Sequence, residues 1–247
     1  MKFSASSIIE VDIDIILSAI HAIEKAISED IPRHVAENNL ETNNHLSFIR
    51  GDFINNNLRE LTASGCGELL PFQRFGWSGR ILLDRHNKLT YSIATQSTLN
   101  QIPRKHRQRP HFLQSLLAIE NGDLEGRGQQ LTLFDMEPFS PDTYIADFNS
   151  IVSGNFGCFD GYRHCVITYR VQRDEIIEIK LVLLNSQFAV VEEYNLDELR
   201  RPDFSQLTFS ATSEDSAERE AHSAATRSLT KLKKGIKPSL RELAEEA

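Results

Sequence analysis

Apolar residues in the first part of the chain recur with the period of an α-helix. Between residues 13 and 28, isoleucine and alanine stand at three- and four-residue steps and charged residues take the opposite positions, which predicts an amphipathic helix. Proline lacks an amide hydrogen and clashes with the preceding turn, so Pro32 is predicted to end this helix. A second helical pattern is carried by Phe48, Phe53, Leu58 and Leu61, and it is followed by Gly65 and Gly67. The chain is therefore predicted to open with two helices.

Beyond residue 67 the hydrophobic period shortens to that of β-strands. Runs rich in aliphatic, aromatic and β-branched residues occupy 69–75, 80–84 and 89–95. The link between the second and third runs is too short for a crossover helix, so these strands are predicted to be antiparallel. Further runs at 164–172, 175–185 and 188–195, with turns at 173–174 and 186–187, predict a second antiparallel meander.

Two more helical patterns lie between the meanders. One begins at Phe112 and ends near Gly122, and the other follows Ser140, a predicted N-cap, with Pro141 in its first position. The predicted fold is one α+β domain, residues 1–204, whose antiparallel meanders are joined in one sheet or packed as two. Residues 205–247 are rich in Ser, Ala and Glu and predict a tail that is weakly helical or partly disordered.

Composition and charge narrow the classes of function. With 40% hydrophobic and 25% charged residues the chain has a globular composition. Its net charge of -8 opposes binding of nucleic acid by the whole body, so any such contact must come from a local patch. Acidic residues interrupt the apolar N-terminal run, which predicts neither a signal peptide nor a membrane span. Three separated cysteines fit a reducing compartment, and the expected location is the cytoplasm.

A local basic patch does occur in "PRKHRQRP", residues 103–110. Its four cations are Arg104, Lys105, Arg107 and Arg109. They could hold a phosphate backbone, with Trp77, Tyr91 or Phe112 available to stack on the bases of a single strand. The segment could equally be a solvated basic turn, or it could form ion pairs with the acidic residues of the chain.

A candidate for catalysis lies in "EIIEIKLVLL". Glu178 and Lys180 have the Glu-x-Lys form of one class of metal-dependent nucleases, and Asp160 upstream could supply a second carboxylate. In such enzymes the carboxylates bind magnesium and the lysine helps to position the attacking water. A Glu and a Lys on the solvated face of a hairpin are also an ordinary arrangement. No other cofactor is predicted, and Cys158, His164 and Cys165 form only a partial ligand set, so no metal site is predicted.

The segment "GQQLTLFDMEPF" carries the most specific short pattern. Its members Gln130, Leu131, Leu133 and Phe134 resemble the clamp-binding peptide of bacterial replication and repair proteins. In that peptide the last Leu and Phe enter an apolar pocket on the DNA sliding clamp. Thr132 departs from the commoner Ser or Asp, and the five residues would also make a good β-strand. The segment is therefore either an exposed docking peptide or a strand.

Several longer stretches, among them "RGDFINNNLRE", "FGWSGRILLD" and "EIIEIKLVLLN", resemble an uncharacterised family of bacterial and phage proteins over nearly the whole chain. The resemblance implies an intracellular protein of a mobile-element, phage-defence or toxin–antitoxin setting and no catalytic residue. The expected function is a non-enzymatic binding or regulatory protein of DNA metabolism that docks on the sliding clamp. The alternatives are a magnesium-dependent nuclease and a non-catalytic partner of a neighbouring gene product.

Overall fold

The computed structural model describes residues 7–38, 42, 44–62, 65, 67–105, 107–127, 139–152 and 161–200. The chain divides into two units, Met1–Arg201 and Pro202–Ala247, and every described residue belongs to the first. The Gln130–Phe134 peptide, Asp160, Cys158 and the tail predicted at 205–247 therefore lie outside the described residues.

The N-terminal helical region is longer than the sequence predicts. Helix α1, Ile13–Lys25, begins at Asp12, whose side chain accepts from the amide of Asp14 at 2.9 Å. It passes through a π-helical turn, Ala26–Asp30, into α2, Ile31–Asn38. The prediction that Pro32 ends the helix is wrong, because the amide of Ile31 donates to the carbonyl of Ala26, five residues earlier. This wider turn puts Pro32 in the first turn of α2, where the missing amide hydrogen costs least.

The remaining elements confirm the predicted α+β class. The helices are α3, Leu46–Thr62, α4, Gln96–Gln101, α5, Phe112–Glu120, and α6, Pro141–Val152, and short 3-10 turns occur at Gly122–Leu124 and Asp197–Leu199. The strands are β1, Glu68–Arg74, β2, Trp77–Asp84, β3, Leu89–Thr95, β4, Arg163–Gln172, β5, Glu175–Leu184, and β6, Val190–Asn195. None of the helices in the described ranges combines the length and the apolar character that crossing a bilayer requires.

The two meanders form one six-stranded sheet in the order β1-β2-β3-β4-β5-β6. All neighbouring strands are antiparallel except β3 and β4, which are parallel. A parallel pair needs a long crossover, and here the crossover contains α4, α5 and α6. The two-residue turn between β4 and β5 has positive φ at Arg173 and Asp174, 52° and 64°, as a twisted hairpin requires.

Each face of the sheet carries its own hydrophobic core. On one face α1 and α3 pack over Tyr91 and Ile167, and on the other face α5 and α6 pack over Val166 and Val182. Alternation along each strand sends successive side chains to opposite cores, so β4 contributes Ile167 to one core and Val166 to the other. The fold is therefore a helix–sheet–helix arrangement of three layers.

One pair of neighbouring strands separates along part of its length. β2 and β3 pair only near their connecting turn, through Leu82 with Tyr91, Leu83 with Thr90 and Asp84 with Leu89. Residues 77–81 of β2 pair with β1 instead, and residues 92–95 of β3 pair with β4. The sheet therefore opens between β2 and β3 at the end where β2 begins.

Candidate functional site

The basic segment 103–110 lies against the turn that joins β1 to β2. Arg74, the last residue of β1, donates from Nη2 to the carbonyl of Pro110 at 2.5 Å and from Nε to Oδ1 of Asp147 at 2.7 Å. The guanidinium carbon of Arg109 lies 4.3 Å from the centre of the Phe75 ring, within the range of a cation–π contact. The fold thus brings a cationic segment and an aromatic segment together.

The aromatic segment presents two side chains to solvent. Phe75 is 70% exposed and Trp77 is 50% exposed. The Trp77 ring packs against Phe72 and Phe112, with ring centres 5.4 Å and 5.3 Å away, so its orientation is fixed while half of its surface stays open. A side chain at Gly79 would overlap the Phe72 ring, and glycine is therefore needed beneath this aromatic packing.

Two of the three rings that the sequence offered for stacking are not available. Tyr91 is 1% exposed and Phe112 is 9% exposed, because both belong to the cores on either side of the sheet. Only Trp77 among the three can stack on a base, and Phe75 is an exposed ring that sequence reasoning missed.

The four cations of the basic segment complete this region. Arg104, Lys105 and Arg109 are exposed, and Arg107 is half-buried with an Nε that has no hydrogen-bond partner among the described residues. In the described part of the chain none of the four forms an ion pair with a carboxylate. We call this set the basic–aromatic surface; its members are Phe75, Trp77, Arg104, Lys105, Arg107 and Arg109.

His111 joins the basic segment to α5 and stays neutral. The Nδ1 atom of His111 accepts a hydrogen bond from the amide of Leu113 at 3.3 Å, and the His111 amide donates to Oε1 of Gln114 at 2.6 Å. His111 and Gln114 thus form a capping box at the start of α5. Burial, together with the charges of Arg107 and Arg74, lowers the pKa of His111 to about 3. The positive charge of the surface at neutral pH therefore comes from arginine and lysine.

A cavity of about 90 Å³ lies where β2 and β3 separate. Its wall includes Ile54 and Leu58 of α3, Arg80 of β2 and Ser92 of β3. Trp77 lines the same cavity, so the cavity adjoins the basic–aromatic surface. Arg80 donates from Nη1 to the carbonyl of Gly79 at 2.9 Å, and it makes no ion pair with a described carboxylate.

A second polar constellation lies inside the core between the sheet and α5. We call it the buried polar cluster, and its members are Thr90, Ser92, Glu120 and His164. His164 Nδ1 lies 2.7 Å from Oγ1 of Thr90, and Nε2 lies 3.0 Å from Oγ of Ser92. The Thr90 hydroxyl also hydrogen-bonds Oε2 of Glu120. A continuous chain of hydrogen bonds thus runs from Ser92 to Glu120.

Burial sets the charge states in this cluster. It raises the pKa of Glu120 to about 8 and lowers the pKa of His164 to about 3. Both side chains are therefore largely neutral at pH 7. Glu120 Oε1 has no hydrogen-bond partner among the described residues, which is tolerable for an uncharged carboxyl group and costly for a carboxylate.

Ser92 and His164 have the hydrogen bond of a nucleophile and its base. Sequence reasoning found no such pair, because the two residues stand far apart in the chain and meet only through the parallel pairing of β3 and β4. Ser92 is 1% exposed and His164 is 0% exposed, so the pair is buried from bulk solvent in this conformation. The cluster fixes α5 to the sheet, and the adjacent Asn121 adds to this by donating to the carbonyls of His164 and Leu184 at 2.8 Å and 2.6 Å.

The Glu-x-Lys pair lies on one face of β5, as strand alternation predicts. Lys180 Nζ is 3.0 Å from Glu178 Oε1 and 2.9 Å from Glu193 Oε1. The lysine is thus held between two carboxylates. His164 and Cys165 are successive residues of β4 and point to opposite faces. In the described residues no three His, Cys, Asp or Glu side chains form a group that could hold a metal ion.

The chain belongs to the family of unknown function DUF5986, whose sequence profile matches residues 9–246. This match confirms the resemblance to an uncharacterised family over nearly the whole chain, whereas the clamp-peptide resemblance stays a prediction. No curated protein and no solved structure matches the chain significantly. The function is therefore argued from the residues themselves.

Proposed function

We propose that this chain is a non-catalytic binding protein of DNA metabolism that contacts single-stranded nucleic acid through the basic–aromatic surface. The observation that carries the proposal is the Arg109 guanidinium 4.3 Å from the ring centre of Phe75, a ring that is itself 70% exposed. An exposed ring flanked by cations is the combination that single-strand binders use, since the rings stack on bases and the cations follow the phosphates.

Trp77 is the main stacking residue in this proposal. One side of its ring packs against Phe72 and Phe112, so no side-chain entropy has to be lost when a base stacks on the open side. Stacking of one base on an aromatic side chain is worth about 1–3 kcal/mol. Arg80 in the adjoining cavity wall supplies a further donor for an acceptor atom on that base.

The acidic body limits how strong this contact can be. The chain has a net charge of -8, whereas the basic segment supplies four cations, so we expect modest affinity that falls steeply with added salt. Such a contact suits a protein whose binding is reinforced by a second attachment.

The second attachment in our proposal is the Gln130–Phe134 peptide docking on the DNA sliding clamp. It is supported by the sequence resemblance alone, because the peptide lies outside the described residues. Burying one Leu and one Phe contributes roughly 1.5–3 kcal/mol each, part of which is offset by ordering the peptide. Two weak contacts on one chain bind far more tightly together than either does separately.

Fluorescence anisotropy of a labelled single-stranded oligonucleotide tests the nucleic-acid contact. Trp77→Ala is expected to weaken binding by about 1–3 kcal/mol, the value of one stacked base. Lys105→Gln is expected to weaken binding at low salt and to reduce the slope of log affinity against log salt by about 0.7, the contribution of one phosphate contact to a single strand.

The matched control is Lys88→Gln, which removes the same charge from an exposed lysine in the β2–β3 turn, at the opposite end of β2. Equal losses in Lys105→Gln and Lys88→Gln would mean that net charge alone is being measured. Unchanged binding in both Trp77→Ala and Lys105→Gln would refute the proposed surface.

The clamp contact is tested by a pull-down of the purified full-length chain with a bacterial sliding clamp. Phe134→Ala should abolish the interaction, because the last Leu and Phe of such peptides enter the apolar pocket of the clamp. Phe48→Ala, at an exposed phenylalanine of α3, should leave it intact. Clamp binding that survives Phe134→Ala would remove the peptide from the proposal without affecting the nucleic-acid contact.

A further inference from the structure

Two histidines, one in a helix and one just before a helix, meet through their ring nitrogens. His34 lies in α2 and His45 immediately precedes α3, and their Nε2 atoms are 3.1 Å apart. Both side chains are half-buried, so solvent reaches the pair. This contact lies outside the basic–aromatic surface and the buried polar cluster.

The surroundings hold the His34 ring and the His45 backbone in place. The His34 ring packs edge-on against Phe53, with ring centres 5.9 Å apart. The backbone of His45 is fixed at the start of α3, where its carbonyl accepts from the amides of Phe48 and Ile49 at 2.9 Å and 3.1 Å. The two Nε2 atoms are therefore brought together by secondary structure and packing, and little rearrangement is needed to keep them there.

A direct hydrogen bond explains part of this geometry. The Asn38 amide nitrogen lies 3.1 Å from His34 Nδ1 and 2.8 Å from the carbonyl of His34. If Asn38 donates to Nδ1, the proton of neutral His34 is on Nε2 and is donated to Nε2 of His45. For both Nε2 atoms to bind one ion, the proton of His34 must move from Nε2 to Nδ1, where position 38 must then offer an acceptor in place of a donor.

The spacing also fits two imidazole ligands of one metal ion. Zinc–nitrogen bonds of 2.0–2.1 Å at a tetrahedral angle place two ligand nitrogens roughly 3.3 Å apart. The observed 3.1 Å is about 0.2 Å shorter than this value.

We propose that His34 and His45 form a two-histidine site for a divalent transition-metal ion, with zinc as the ion tested. Imidazole nitrogen favours zinc, copper and nickel over magnesium and calcium, which take oxygen ligands. Since no third His, Cys, Asp or Glu joins the pair among the described residues, the remaining coordination positions are open to water or to an exogenous ligand. The bound ion would link α2 to α3.

Isothermal titration of the full-length chain with zinc chloride tests the site. One ion per chain is expected to bind to the pair, and His34→Gln and His45→Gln should each weaken this binding by more than about 100-fold, because losing a ligand costs more than losing a residue that only orients one. Cobalt should compete for the site and give the visible absorption of a tetrahedral ion. Circular dichroism verifies that each variant keeps its helices.

His86→Ala is the matched control, since His86 is an exposed histidine in the β2–β3 turn and its loss should leave zinc affinity unchanged. Zinc binding of the same affinity and stoichiometry in the wild type, His34→Gln and His45→Gln would overturn the proposal, as would its absence from the wild type. Binding that is lost equally in His86→Ala would also overturn it.

Asn38→Asp separates metal ligation from a simple hydrogen bond. In the metal-bound form His34 carries its proton on Nδ1, which then needs an acceptor, and a carboxylate at position 38 accepts it better than the amide does. We expect Asn38→Asp to tighten zinc binding by about 10-fold. Unchanged or weaker zinc binding in this variant would contradict the proposed orientation of His34.

Discussion

The buried polar cluster and the basic–aromatic surface both contain side chains that functional sites use. The side chains of the cluster are buried, whereas those of the surface are wholly or partly exposed to solvent. The cluster aligns a serine, a histidine and a carboxyl group in one chain of hydrogen bonds, and its histidine is 0% exposed. The surface has no such chain and exposes 70% of Phe75 and 50% of Trp77. The arrangement that resembles a catalytic site is buried, and the exposed groups that can contact a partner are cations and aromatic rings.

Burial explains why the two regions play different roles. In the cluster, desolvation keeps Glu120 and His164 neutral, so their hydrogen bonds stabilise the fold and carry no charge to a ligand. On the surface the arginines remain charged and are free to meet phosphate. Changes in the cluster should therefore appear as lost stability, and changes on the surface as lost binding.

The largest expected effect follows removal of the central group of the cluster. His164→Ala leaves a cavity and two hydroxyls without their partner, and we expect the free energy of unfolding to fall by about 3–5 kcal/mol. Urea unfolding followed by circular dichroism measures this change. His86→Ala, in an exposed turn, should stay within about 0.5 kcal/mol of the wild type. A similar loss in the two variants would contradict a stabilising role for the cluster.

The second effect is a change in how stability depends on pH. The folded-state pKa of Glu120 is about 8, against an ordinary value of 4.5. The contribution of Glu120 to the free energy of unfolding is therefore complete below pH 4.5 and is lost as the pH rises through 8. His111 and His164 have folded-state pKa values of about 3, against an ordinary value of 6.5. The contribution of these histidines to stability is therefore complete above pH 6.5 and is lost as the pH falls towards 3. Among the pKa shifts resolved for the described residues, the Glu120 shift is therefore the one that changes stability most between pH 6.5 and 8.

Glu120→Gln should remove that slope, because glutamine cannot ionise. The urea midpoint of the wild type should fall between pH 6.5 and 8, whereas that of the variant should stay level. Parallel curves for the two proteins would mean that Glu120 is not the group that titrates in this window.

A smaller effect is expected on the surface. Phe75→Ala should leave the free energy of unfolding within about 0.5 kcal/mol of the wild type, because most of this ring is already in water. The binding of the variant to a single-stranded oligonucleotide should weaken by about 1 kcal/mol, the lower end of the range for one stacked base. Phe48, also exposed, provides the control Phe48→Ala, and equal affinities for the two variants would argue against a specific surface.

The smallest effect concerns the ion pairs of Lys180. Lys180→Ala should change the free energy of unfolding by at most about 1 kcal/mol, because ion pairs near the surface contribute little. The same variant tests the nuclease alternative, in which Lys180, Glu178 and Asp160 act with magnesium. Cutting of DNA or RNA by the purified wild type with magnesium, stopped by Lys180→Ala, would favour that alternative over a binding protein.

Local patterns in the sequence predicted most of the elements. The hydrophobic runs on either side of Arg173 and Asp174 predicted the β4–β5 hairpin, because a two-residue turn admits few geometries. Ser140 and Pro141 marked the start of α6, and the Ser140 hydroxyl accepts from the amide of Thr143 at 3.3 Å. The prediction that Pro32 ends the helix failed because the hydrophobic pattern does not indicate the π-helical turn at Ala26–Asp30, which packs against α3 and β5.

The fold class, the strand periods and the position of the basic segment follow from the sequence, since each depends on residues close together in the chain. The parallel pairing of β3 with β4, which joins Thr90 and Ser92 to His164 in the core, follows from tertiary packing. Tertiary packing also decided that Arg109 lies over Phe75 and that His34 meets His45. Such contacts join residues that are distant in sequence, and the packing of the whole domain selects them.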